Sequence, residues 1–185
     1  MPKISEEQRE ARRQEIVAAA QRCFAKHGYE GATVVRLEEE TGLSRGAIFN
    51  YFASKQALFV AVAIASSDRF VEIWLEHGFR ALLEAIAHED PDWLAVQIES
   101  GRRVRTDPVF REAVARATAA RRETRDERYE RLRRHGSLRD DIPIETVVAF
   151  LSLIANGLAF ERIGDADLPD LDALMLLVES GVAPR

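Results

Sequence analysis

Residues 33–52 read Thr33-Val-Val-Arg-Leu-Glu-Glu-Glu-Thr-Gly-Leu-Ser-Arg-Gly-Ala-Ile-Phe-Asn-Tyr-Phe52. Thr33 can cap a short helix over about 34–41, and Gly42 can adopt the left-handed backbone that often ends a helix. Ser44 is a second capping residue, and a helix is predicted from there to about Phe52. Two short helices joined by so tight a turn have the form of a helix-turn-helix.

The second of these helices is predicted to place polar and aromatic side chains on its outer surface. Its inward residues should form a small core with residues of the first two helices: Ile16, Phe24, Leu37, Leu43, Ile48 and Phe52. That arrangement leaves five residues on the outer surface: Arg45, Gly46, Phe49, Asn50 and Tyr51. In the major groove of DNA, arginine pairs with guanine, asparagine pairs with adenine, and an aromatic edge can meet a thymine methyl group. The pattern therefore predicts a base-reading surface.

Residues flanking this helix suit contacts with phosphates. Thr33 and Ser44 place hydroxyls and amides at helix N-termini, where anions bind, and Lys55 begins the next helix. Gly46 would allow the backbone to approach the groove closely. The predicted DNA-contacting set is Thr33, Arg36, Ser44, Arg45, Gly46, Phe49, Asn50, Tyr51 and Lys55. The alternative is that the hydroxyls only cap helices and that the two aromatic rings only pack against Phe52 and Leu58.

The rest of the chain is also predicted to be helical, without a convincing alternating strand. A capping box at Ser5 and Gln8 announces the first helix, and Gly28 is expected to end it. Further helices are expected over about 55–77, 79–89, 92–105, 108–134, 143–163 and 169–181, which makes nine in all. We expect an all-α protein with a helix-turn-helix module over residues 1–53 and a helical bundle over 54–185.

Composition limits the other classes of protein. The 185 residues carry a net charge of −5, and residues 1–60 contain nine Lys/Arg against eight Asp/Glu. Binding to nucleic acid must then depend on a few Lys or Arg side chains at specific positions rather than on a broad basic surface. The lone Cys23 excludes an intramolecular disulfide and a multi-cysteine zinc site. The acidic N-terminus and apolar runs far shorter than about 20 residues predict a cytoplasmic chain that does not enter the membrane.

Two segments resemble the N-terminal signature of the TetR family of transcriptional regulators. They are Cys23-Phe-Ala-Lys-His-Gly-Tyr29 and Gly42-Leu-Ser-Arg-Gly-Ala-Ile-Phe-Asn-Tyr-Phe-Ala-Ser-Lys55. The resemblance implies a homodimeric repressor that requires no cofactor and places two recognition helices in successive major grooves of a palindromic operator, roughly 34–36 Å apart. One departure is the bulk of Glu38 and Thr41, where the family usually has alanine.

The resemblance extends to a subgroup of the family, the actinobacterial aconitase repressors. It lies in the Arg36-Leu-Glu-Glu39 run, in residues 105–111 and in Asp140-Asp-Ile-Pro-Ile-Glu145. This subgroup resemblance implies control of an aconitase gene and a citrate–magnesium complex as the small-molecule effector.

A ligand cavity is expected among the middle helices. Trp74 and Trp93 could supply its walls, and polar residues on otherwise apolar helices could bind a carboxylate: Glu99, Arg102, Arg103, Asn156 and Glu161. On the arginine-rich helix over about 108–134, an inward Arg122 could bind an anionic ligand, and a salt-bridged, solvated face is the alternative there. Glu99 could also assist a hard cation. The four histidines lack metal-ligand spacing, so no metal site is predicted. For each of these residues, surface exposure or a buried hydrogen bond is the alternative.

The last two helices, about 143–163 and 169–181, are predicted to form a four-helix dimer interface with a second subunit. Their apolar faces are Val147, Val148, Leu151, Ile154, Ala155 and Leu158 on one and Leu171, Leu174, Met175 and Val178 on the other. The alternative is that these faces are buried within the chain.

Two other functions are less well supported. A small helical enzyme would need a catalytic motif, and the sequence contains no phosphate-binding glycine loop, HExxH pattern or nucleophile elbow. A helical adaptor that has lost DNA binding would show no salt-dependent retention on promoter DNA, whereas a repressor should show steep salt dependence.

Overall fold

The computed structural model describes residues 5–134, 136, 139–164 and 166–183. Within these ranges, the side chains at 117–118, 120–126, 128–129 and 131–132 lie outside the description. All regular structure in the described part of the chain is helical. The helices are α1 (Glu6–Gly31), α2 (Val34–Thr41), α3 (Arg45–Phe49), α4 (Lys55–Ala87), α5 (Pro91–Thr106), α6 (Pro108–Arg134), α7 (Ile144–Ile163) and α8 (Leu171–Val182).

Local sequence signals set several of the helix ends. The capping box forms at α1, where the Gln8 amide donates to the Ser5 hydroxyl and the Ser5 amide donates to the Gln8 side chain, both at 3.1 Å. Gly42 ends α2 with φ +67°, a conformation that a residue with a Cβ rarely adopts. The bounds of α2 therefore match the prediction.

The prediction of nine helices is wrong by one, because the described part of the chain contains eight. Gly78 has φ +87° and interrupts the helical backbone, but helix resumes at Phe79, so the two predicted helices form one kinked α4. Gly28 likewise kinks α1, which continues to Gly31. A glycine leaves the helical region at no steric cost, and whether helix resumes depends on the residues that follow it.

The described residues group into two compact units. Unit 1 contains the residues up to Ser67 together with Asp92–Ala115, and unit 2 contains Asp68–Pro91 together with the residues from Arg116 onward. The expected split into 1–53 and 54–185 is a functional division, and it stays a prediction.

An aromatic cluster fills the core of unit 1. Phe59 lies at its centre, with ring centroids 5.0 Å from Phe24, 5.0 Å from Tyr29, 5.8 Å from Phe110 and 6.2 Å from Trp93. The pairs with Phe24, Tyr29 and Trp93 are edge-to-face, and such pairs stabilise a core by about 0.5–1.5 kcal/mol each beyond the area that they bury. The cluster holds the end of α1 against α4 and α5, directly beside the helix-turn-helix.

The core of unit 2 contains residues that the sequence assigned to the dimer interface. Val147, Leu151 and Leu158 of α7 and Met175 and Val178 of α8 are all buried. Their partly buried neighbours Val148, Ile154, Ala155, Leu171 and Leu174 pack against the same core. For these faces the alternative of burial within the chain is the right one, because they cover the apolar side of α4.

Other faces of α7 and α8 leave large apolar side chains in solvent. The exposed fractions are 71% for Leu153, 64% for Phe160, 70% for Leu176 and 69% for Leu177. By length and composition, α7 is also the one helix in the described ranges that could cross a membrane, although a core helix of a soluble protein passes the same test.

Candidate nucleic-acid interface

The helix-turn-helix is held together by the small core that the sequence predicts. Leu37 of α2 and Ile48 of α3 are completely buried, and Phe52 is nearly so. Ile16 and Phe24 are buried in α1, which packs on α2, whereas Leu43 in the turn is half-buried. With Ile48 fixed inward, the opposite side of α3 has to face solvent.

That outer side carries the polar residues of the predicted base-reading surface. Arg45, Gly46 and Asn50 are exposed, while Phe49 and Tyr51 are half-buried. A Cβ atom on Gly46 would meet no other atom within 4 Å, so nothing in the chain itself requires glycine there. The helix is also shorter than predicted, since it ends at Phe49 and the chain turns through Asn50 and Tyr51.

Glu38 joins the two helices of the motif. Its carboxylate accepts the Arg45 backbone N–H at 2.6 Å, and the Ser44 hydroxyl accepts the Ala47 N–H at 3.4 Å. A negative charge at a helix N-terminus is favourable because the unpaired amides there carry partial positive charge. The Arg45 amide, expected to be free for a phosphate, is therefore already occupied. Glu38, one of the two residues that depart from the family pattern, therefore fixes the start of α3 to α2.

The predicted phosphate contacts on the flanks are tied to the end of α1. The Arg36 guanidinium donates to the Gly31 carbonyl at 2.8 Å, and the Thr33 hydroxyl accepts the Arg36 amide at 3.4 Å. Lys55 Nζ donates to the carbonyls of Tyr29 and Glu30 at 2.9 and 3.4 Å. An ammonium group has three donors, so Lys55 retains one for a further acceptor.

Two arginines of α1 that were not predicted as site residues lie beside the residues that follow the recognition helix. The Arg9 guanidinium lies 5.9 Å from the centroid of the Tyr51 ring, and that of Arg13 lies 5.2 Å from the Phe52 ring. The sequence contains a signal for this placement. Arg9 and Arg13 are spaced so that they share one face of α1 with the buried Ile16.

A cleft of about 290 Å³ opens in unit 1 between the end of α1 and α5. Three predicted ligand residues, Glu99, Arg102 and Arg103, line it. The lining carries both signs of charge: Glu30, Glu99, Arg102, Arg103 and Asp107 among the titratable groups, with Tyr29, Val96, Ser100 and Thr106 beside them. The cleft thus offers guanidinium groups to an anion and carboxylates to a cation.

Arg103 connects this cleft to the helix-turn-helix through Tyr29. Its guanidinium lies 4.0 Å from the Tyr29 ring centroid and pairs with Glu30 at 2.6 Å and Asp107 at 3.5 Å. Lys55 lies 4.6 Å from the same ring. Burial raises the pKa of Tyr29, and the nearby Arg103 charge opposes that rise. One aromatic ring therefore contacts a cation of the cleft and the first residue of α4.

The other predicted ligand residues lie elsewhere. Trp93 is completely buried in unit 1, where its indole N–H donates to Ser66 at 3.1 Å, and Trp74 packs edge-to-face on Phe79 in unit 2. Both tryptophans are core residues in their own units and neither lines this cleft. Asn156 is exposed on α7, and the side chain of Arg122 lies outside the described residues. Among the residues that are described, no group of three or more His, Cys, Asp or Glu side chains could hold a metal ion.

Comparison with known proteins agrees with this geometry. Residues 16–62, which span the helix-turn-helix, match the family described as "Bacterial regulatory proteins, tetR family". The HTH-type transcriptional repressor AcnR of Corynebacterium diphtheriae is 41% identical, covering 98% of this chain and 97% of that protein. An HTH-type transcriptional repressor of Mycobacterium tuberculosis is 37% identical over 98% of both chains.

Solved structures confirm the all-helical fold. Salmonella enterica GusR superposes with a TM-score of 0.70 at 18% identity, covering 97% of this chain and 98% of that one. A TetR transcription regulator from Haloarcula marismortui gives a TM-score of 0.65 at 20% identity, with 92% and 96% covered. The near full-length relatives also favour a regulator over an enzyme. With its helix-turn-helix and the identity it shares with AcnR along nearly its whole length, the chain belongs to the TetR family of bacterial regulators, in the AcnR group.

Proposed function

We propose that this protein is a DNA-binding transcriptional repressor that uses α3 to read the major groove of a palindromic operator. The observation that carries the proposal is the exposed surface of α3 and its C-cap, where Arg45 and Asn50 lie on either side of Gly46 in the sequence and open space surrounds the Cβ position of that glycine. Arginine and asparagine are the residues best suited to pair with guanine and adenine edges. Such a regulator would act in the cytoplasm, where bacterial DNA lies.

The contacts within the motif favour a preorganised surface. Glu38 fixes the start of α3, Ile48 anchors its inner side, and Lys55 fixes the start of α4 against α1. A surface that is already in its bound geometry does not lose binding free energy to ordering. The remaining donor of Lys55 and the hydroxyl of Tyr51, both beyond the end of α3, would supply phosphate contacts.

A second copy of this chain is the occupant that we propose for the exposed apolar faces of α7 and α8. Leu153, Phe160, Leu176 and Leu177 are all more than 60% exposed, and they lie on two successive helices. Two such helices from each subunit can form a four-helix interface. Homodimers are typical of the family, and a palindromic operator requires two recognition helices.

We further propose that the cleft in unit 1 binds the effector and that the effector is citrate with magnesium. Arg102 and Arg103 suit the carboxylates of citrate, and Glu99 supplies an oxygen ligand of the kind that Mg²⁺ prefers. Because the described residues hold no ready metal site, the metal ion would arrive bound to citrate. An anion at Arg103 would compete with Glu30 and Tyr29, and the change would reach Lys55 through the shared ring.

Footprinting tests the proposed function most broadly. The purified protein should protect a palindromic site in its own upstream region or in an aconitase promoter, and added citrate with Mg²⁺ should release it. Protection of no site, together with no salt-dependent retention on either DNA fragment, would favour the adaptor function instead. Protection that is indifferent to citrate and Mg²⁺ would overturn the effector assignment alone.

A further inference from the structure

The arginines of α1 differ in how their charges are neutralised. Arg12 pairs with Glu15 at 2.7 Å, and Arg13 lies 3.6 Å from Glu10. Among the residues that the structure describes, Arg9 has no carboxylate within 4 Å of its guanidinium. It is instead placed over the ring of Tyr51, at 5.9 Å from the centroid. Its charge is therefore available to an external anion.

The ring contact also sets where that charge lies. Tyr51 follows Asn50, the exposed residue at the end of α3, so the Arg9 guanidinium lies at the edge of the proposed DNA surface. A guanidinium held over an aromatic face by a cation–π contact keeps its N–H groups free, and their fork matches the two oxygens of a phosphate. Arg13, one helical turn further along, contacts Phe52 in the same manner but shares its charge with Glu10.

We propose that Arg9 binds a backbone phosphate of the operator and that Tyr51 holds its guanidinium in place, so that the DNA surface extends from α3 onto the first turns of α1. This inference rests on the proposed function, since it concerns the same DNA. The ligand of Arg9 would be duplex DNA of any sequence, because a phosphate contact carries no base information.

The test compares Arg9→Gln with Arg12→Gln, which removes the same charge from the same helix at a residue already paired with Glu15. Binding to a labelled operator and to a scrambled duplex is followed by fluorescence anisotropy over a range of salt concentrations. Each lost phosphate contact should reduce the magnitude of the log Kd against log salt slope by about 0.9. Arg9→Gln should reduce it by about 1.8 in a dimer on both duplexes, and Arg12→Gln should leave it unchanged. Arg9→Lys should keep the wild-type slope, since its charge remains.

An unchanged slope for Arg9→Gln, in a protein whose thermal unfolding matches the wild type, would overturn the assignment to Arg9. Equal losses for Arg9→Gln and Arg12→Gln would also overturn it, because the effect would then come from net charge alone. If the wild-type protein itself shows no salt-dependent binding to either duplex, the proposed function fails rather than this inference.

Discussion

Gly46→Ala is expected to separate DNA binding from folding. Gly46 lies in α3 on the exposed side, and the added Cβ would meet no atom of the chain within 4 Å. The φ angle at Gly46 is not in the left-handed region, so alanine fits the backbone without strain. The free protein should therefore accept the substitution.

The expected magnitudes have opposite signs. Alanine in place of glycine within a helix stabilises it by roughly 0.5–1 kcal/mol, which in a chain of this size raises Tm by about 1–4 °C. If the backbone of α3 approaches the groove closely, the new methyl group overpacks the interface at a cost of about 1–3 kcal/mol. That cost weakens operator binding about five- to 140-fold, since each 1.4 kcal/mol is tenfold.

Gly101→Ala is the matched control. Gly101 is exposed in α5, its Cβ would also meet nothing within 4 Å, and it lies outside the helix-turn-helix. Both variants should gain thermal stability, and only Gly46→Ala should lose affinity for the operator in anisotropy titrations without effector. Operator affinity equal to the wild type in Gly46→Ala would refute the close approach of α3 to DNA.

Three further predictions concern other parts of the chain. Lys55→Ala should lower Tm, because Nζ bridges two carbonyls of α1, and should weaken operator and scrambled duplexes by one common factor; a loss confined to the operator would show that it reads bases. Leu153→Asp combined with Leu176→Asp should give a folded monomer by light scattering, because both side chains are about 70% exposed; a persisting dimer would contradict the proposed interface. Hydrogen bonding from the Phe110 amide, followed by that of other donors, holds the pKa of Asp107 below its ordinary value of 3.8. The charged carboxylate thus stabilises the fold above the unfolded pKa, and this contribution is lost as pH falls through the folded pKa. Asp107→Asn keeps a side chain that can cap the helix but does not titrate. The Tm difference between the wild type and this variant should therefore shrink below about pH 4. A Tm difference that stays constant with pH would contradict the assignment.

Local signals were sufficient to predict the helix-turn-helix. Thr33 and Ser44 cap helices, Gly42 ends one, and the inward positions of Leu37 and Ile48 follow from helical spacing alone. Each of these features depends on residues within a few positions of one another. Helical periodicity and capping are local properties, and for that reason they can be read without knowing the tertiary contacts.

Features that depend on long-range contacts were not predictable in the same way. The sequence places Lys55 at a helix start, but its bonds to Tyr29 and Glu30 arise from packing between α1 and α4. The bond from the Arg45 amide to Glu38 requires the relative placement of two helices. For α7 and α8, the sequence showed that apolar residues were abundant without showing which face the core would bury. The most regular apolar faces proved to be the internal ones, and the exposed residues Leu153 and Leu176 lie on the other faces.

The base-reading role of α3 is tested most directly by the sequence discrimination of Arg45→Ala. The quantity to measure is the ratio of Kd values for a scrambled duplex and for the operator, both at one salt concentration. Loss of a good base contact costs about 1–3 kcal/mol of discrimination, so the ratio should fall about five- to 140-fold. The thermal stability of the variant should stay close to that of the wild type. A ratio that equals the wild-type ratio would contradict the assignment of α3 as the recognition helix.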